Sequence, residues 1–158
     1  MALPNSPLLQ SLQEQERYVV TQVGTHQLAF LSHWVAEILL IERLQILSLP
    51  FYEPSLLGVV HNHGQIVPLV SGQVFLQATQ RSTREAISVV QLSQALGHLA
   101  GVGIVVDQAL ESRSRDQLPE WLFDSNSSKS SSQPHALLQL FRPELLSDRL
   151  WHPMRWAS

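Results

Sequence analysis

Apolar and polar positions alternate over residues 18–23, YVVTQV, where Val19, Thr21 and Val23 share one face and Tyr18 and Val20 the other. Gly24-Thr25-His26 supplies turn chemistry, and QLAFL at residues 27–31 resumes the apolar pattern. The pattern predicts a strand, a turn and a second strand. Residues 33–47, HWVAEILLIERLQIL, admit two readings. Val35, Ile38, Leu39 and Glu42 suit a helix face, whereas the β-branched and aromatic content without a clear cap suits a strand. We read a strand preceded by a short helical turn near Ser32. Pro50 and Pro54 in LPFYEP interrupt regular structure before SLLGVV resumes it. In VVHNHGQIVP the apolar flanks enclose Asn62-His63-Gly64, which predicts a β-hairpin with His63 at or beside its tip. Gly64 takes the positive φ that a tight reversal requires.

The second half follows the same plan. Residues 87–92 predict a strand, a linker with helical potential follows, and residues 103–110 form a strongly β-branched strand. QLP at 117–119 echoes SLP at 48–50, and HALLQLF at 135–141 echoes GQIVPLV at 64–70, each about seventy residues on. Either two copies of one small β unit or β composition alone accounts for such echoes. Short strands with Gly and Pro turns predict a mainly β fold of small barrels with short helices. The run SNSSKSSSQ at 125–133 has too little apolar content to pack and reads as a flexible loop.

Composition narrows the chemistry. The chain has 158 residues and a net charge of −3 from 10 basic and 13 acidic side chains, with no basic stripe to attract nucleic acid. With no cysteine, thiolate nucleophiles and thiolate metal sites are excluded, and a reducing compartment fits. The start, MALPNSPLLQSLQEQERY, lacks the basic beginning and continuous apolar core of a signal peptide, and no apolar run approaches the roughly 20 residues of a membrane span. A soluble, cytoplasmic protein without membrane insertion is expected. His61 and His63 would share a face in a strand, but a metal site needs a third or fourth ligand and the turn breaks the face, so no metal is assigned. GHLAGVG at 97–103 precedes a strand, whereas a dinucleotide fingerprint follows one, and no Gly-x-Ser-x-Gly elbow presents a nucleophile. Neither catalytic residues nor a cofactor is predicted. Trp34 and Trp121 are read as core, while Trp151 and Trp156, in the tail RLWHPMRWAS, either dock back or await a partner. Docking back is the favoured reading.

LLGVVHNHGQIVPLV and GIVVDQALE, with YVVTQVGTHQLAFLSHWVAEIL before them and LLQLFRPELL after, resemble the CheW-like domain family over residues 18–146. The resemblance implies two intertwined SH3-like, five-stranded β-barrel subdomains packed together. It also implies a noncatalytic adaptor that links methyl-accepting chemoreceptors to the regulatory domain of a CheA-type histidine kinase. On this reading residues 1–16 are an N-terminal arm, 17–146 the CheW-like domain and 147–158 a tail.

Residue-wise carry-over places partner contact at Asn62, His63 and Gly64, where relatives have Asn-Leu-Arg-Gly, and at Glu37, where relatives keep an acidic residue. Val35, Val60 and Val105 are candidates for a partner groove, each with a plain core role as the alternative. His63 stands in place of an arginine, replacing a permanently charged planar fork by a ring that is charged only when protonated. Ser71 replaces the aspartate that follows the apolar strand in relatives. Two other functions compete: a domain that pairs only with other β domains or paralogues, and a small-ligand carrier using the cleft between barrels.

Overall fold

The computed structural model describes residues 16–76, 84–124 and 137–154. The strands are β1 (Arg17–Val23), β2 (His26–Leu31), β3 (Val35–Glu42), β4 (Leu56–Asn62), β5 (Gln65–Ser71), β6 (Ala86–Leu92), β7 (Gly103–Val106), β8 (Gln108–Ser114) and β9 (Leu138–Leu140), joined by short 3-10 turns. They build two mixed sheets, a five-stranded one in the order β3-β6-β7-β5-β4 and a four-stranded one in the order β8-β1-β2-β9. The fold is mainly β, as the alternation predicts. The ambiguous run after Ser32 resolves into a 3-10 turn at Ser32–Trp34 followed by the strand β3.

The five-stranded sheet curls into a barrel whose two ends are joined, among the described residues, by an isolated bridge. Beyond β3 the chain bends back so that Leu47 bridges Val59 of β4, each N–H donating to the other's carbonyl at 2.9 Å. Gly58 permits this closure. Its φ is 145°, and a Cβ there would stand 2.2 Å from the Leu47 carbonyl oxygen. Inside the barrel pack Leu39, Ile41, Val60, Val67, Leu69, Ile87, Val89 and Val105.

The outer face of the barrel meets the four-stranded sheet across a second core. Val70, Val90, Leu92, Ile104 and Val106 from the barrel pack with Val23, Leu28 and Phe30 and with Phe141, which follows β9. A third, smaller core lies on the other face of the four-stranded sheet, where Tyr18, Val20 and Ala29 pack with Leu118 and Leu122. β1 therefore has apolar neighbours on both faces, which is why both sets of its alternating positions are apolar.

One expectation needs correction. Residues 103–110 are not one strand. The fully buried Gly103–Val106 belongs to the barrel, whereas the exposed Gln108–Ser114 belongs to the other sheet, and the chain crosses at Asp107. That crossing is held by the Gly24 N–H, which donates to Asp107 Oδ2 at 2.6 Å, and by the Asp107 N–H, which donates to the Gln22 carbonyl at 2.8 Å. The strands of the barrel are consecutive in the chain and lie between those of the four-stranded sheet. The hairpin β1-β2 pairs in parallel with β9, and the hairpin β4-β5 pairs in parallel with β7, so β8 and β9 complete the sheet that β1 and β2 begin.

Among the described residues the second sheet has four strands and is open, where the resemblance implied five. After Pro119 the chain forms a 3-10 turn at Glu120–Phe123 that lays Leu122 on the third core. Trp34, Trp121 and Trp151 all pack partly buried against core clusters, and Leu150 is buried beside Trp151. The arm at residues 1–15, the serine run at 125–133 and Trp156 lie outside the described residues.

Candidate functional site

The β4-β5 hairpin turns on two residues. Asn62 pairs with Gln65, and between them His63 has φ 48° and Gly64 φ 76°. Positive φ at both central positions matches the right-handed twist of the flanking strands. Gly64 adopts it freely, whereas His63 does so against the steric preference of a side chain. The turn projects His63 beyond the barrel end.

Glu37 reaches the same place from β3. The register shifts between Val35 and Glu37, which leaves Ala36 as an extra residue in the ladder with β6. From there Glu37 falls on the face of Leu39 and Ile41, but at the end of the barrel rather than inside it. His63 Nε2 lies 3.9 Å from Glu37 Oε1, with the two side chains 79% and 45% exposed. The pair spans the barrel mouth and carries ionic attraction only when the imidazole is protonated.

The groove candidates are placed differently. Val60 and Val105 are 4% and 9% exposed inside the barrel, so a partner meets the strands that carry them and not their side chains. Val35 is half-buried against the core between the sheets. The structure thus brings together Glu37, Asn62, His63 and Gly64, and keeps Val60 and Val105 apart from them.

Sequence reading missed the most exposed apolar side chains of the barrel. Leu40, Leu44, Leu47 and Ile66 are 78%, 95%, 70% and 70% exposed. Leu40 lies on the outer face of β3, Leu44 on the 3-10 turn after it, Leu47 on the seam with β4, and Ile66 on β5 opposite His61. Apolar exposure of this density on adjoining elements marks an interaction surface. The unbroken run ILLI hides it, because a continuous apolar run does not say which of its members point out.

A recess of about 230 Å³ on the four-stranded sheet is lined by Tyr18, Leu31, Trp34, Phe141 and Arg142 among others. It is smaller than the roughly 300–1,000 Å³ of ordinary ligand pockets. The Tyr18 hydroxyl lies 3.1 Å from Glu16 Oε1, and its pKa is pushed up to about 12, first by burial and then by that carboxylate. Among the described residues no three His, Asp or Glu side chains are grouped to hold a metal ion, and no helix is long and apolar enough to cross a membrane.

A family model described as the CheW-like domain matches residues 17–120. No curated protein matches the chain. Among solved structures, the scaffolding protein TtCheW from Thermoanaerobacter tengcongensis is similar with a TM-score of 0.50 at 16% identity, over 63% of this chain and 65% of that one. The chain thus spans just under two thirds of that protein, and at this identity the likeness is one of fold.

Proposed function

We propose for this chain, which belongs to the CheW-like domain family, the role of a noncatalytic adaptor in a bacterial chemosensory or motility signalling system. It acts in the cytoplasm and couples methyl-accepting chemoreceptors to the regulatory domain of a CheA-type histidine kinase. The observation that carries this reading is the set of exposed apolar side chains Leu40, Leu44, Leu47 and Ile66 on the barrel. A homologous barrel buries such a set, and the polar tip formed by Glu37, Asn62, His63 and Gly64 fixes the register of the contact. The name of the solved relative, a scaffolding protein, points the same way.

Calorimetric titration with the kinase regulatory domain tests it. Binding in the micromolar range, about −8 kcal/mol, is expected for a contact of this kind. Leu44→Glu together with Ile66→Glu should weaken it at least about tenfold, because both insert charge where apolar area is covered. Absence of binding at tens of micromolar, or binding indifferent to both substitutions, overturns the adaptor reading.

A further inference from the structure

Among the described residues the four-stranded sheet has two edge strands, β8 and β9, and β8 is the longer. Among the described residues β8 pairs only with β1. The register sums to a constant from Arg17↔Ser114 to Val20↔Glu111, and the Arg115 N–H donates to the Glu16 carbonyl in that same register. Main-chain groups alternate along an antiparallel strand. Those of Glu111, Arg113 and Arg115 therefore face β1, and those of Ser112 and Ser114 face outward. β8 is exposed through Ser112, and Leu110, 39% exposed, is the extra residue at the register shift.

We infer that this edge is a self-recognition site: two copies of the chain pair β8 against β8, antiparallel about a two-fold axis through Ser112. The charge pattern selects that register. An axis through Glu111 would set Glu111 against Glu111, one through Arg113 would set Arg113 against Arg113, and one through Ser114 would set Arg113 against Arg115. Only the axis through Ser112 sets Glu111 of each copy opposite Arg113 of the other. It does so at a pair without direct main-chain bonds, where facing side chains come closest. The same axis makes Ser112 face Ser112 with its outward N–H and C=O, the geometry of a bonded antiparallel pair. The contact is isologous and closes at two copies.

Within one chain Glu111 and Arg113 pair with each other, and Arg17 donates to the Ser112 hydroxyl at 3.1 Å and to its carbonyl at 3.4 Å. Dimerisation exchanges these exposed contacts for intermolecular ones. The association is accordingly weak and concentration-dependent.

Sedimentation equilibrium of the full chain from roughly 10 to 500 µM tests this. A monomer–dimer equilibrium is expected. Ser112→Pro should weaken it at least tenfold, since proline removes an outward N–H while leaving the pairing with β1 intact. Glu111→Arg and Arg113→Glu proteins should each be monomeric, since each would set like charges against each other across the axis. Mixing the two should restore a dimer, because both facing positions of one copy are then basic and both of the other acidic. That rescue keeps the test decisive even where Ser112→Pro fails to fold. A chain that stays monomeric throughout the range, or a mixture that does not dimerise, overturns the proposal.

Discussion

His63 carries two opposed demands. Its φ of 48° belongs to a turn position that favours Asn or Gly, while its ring lies within ion-pair distance of Glu37. His63→Asn relieves the backbone and removes the ring. The substitution should stabilise the fold by about 0.5 kcal/mol, since an exposed pair of this kind contributes little. Urea unfolding of both proteins checks this, and a loss of stability would mean that the contact with Glu37 outweighs the backbone strain. His63→Arg should tighten kinase binding, because guanidinium carries a permanent charge and a planar fork of donors. The sequence revealed the tip and its glycine. It did not reveal that His63 itself takes a positive φ, because Gly64 alone already answers the demand of a tight reversal and a histidine side chain disfavours that region.

At the scale of elements, two short-range devices hold long-range geometry. Gly58 lets Leu47 approach β4 and close the barrel, and the atom that a Cβ would strike is a backbone carbonyl oxygen, which cannot swing aside. Gly58→Ala should cost about 3 kcal/mol or more and raise amide exchange at Leu47 and Val59 above that of the other barrel strands. Exchange uniform across the barrel would show that the seam is not the element disturbed. Asp107 works at the other crossing, accepting from Gly24 between β1 and β2. Asp107→Ala should cost about 1–3 kcal/mol and Asp107→Asn less, since the amide oxygen still accepts. Strand positions were legible wherever apolar and polar residues alternate, as in β1. They were not legible in GIVVDQAL, whose run of apolar residues conceals a change of sheet at its one aspartate. Its continuation in β8 is exposed although Ala109 and Leu110 are apolar.

The whole molecule is interleaved. β1 and β2 begin one sheet, the chain leaves to build the barrel from β3 to β7, and β8 and β9 return to finish what was begun. No local pattern encodes that return, because the pairing of β9 with β2 joins residues more than a hundred apart and rests on packing rather than spacing. Phe141 is the residue in which this packing concentrates. Its ring stacks on Phe30 at 4.8 Å and meets Phe75 at 4.9 Å and Trp34 at 6.2 Å, joining the end of β9 to β2 and to the turns that flank the barrel. Since the four-stranded sheet draws its strands from both sides of the barrel in the chain and shares this core with it, the two should unfold as one unit. Phe141→Ala should lower stability by about 3–5 kcal/mol and leave a single transition, coincident by tryptophan fluorescence and far-ultraviolet circular dichroism. Two separated transitions, with the barrel melting at the wild-type temperature while the fluorescence of Trp34 changes early, would show that the barrel stands alone and that the second sheet is only attached to it.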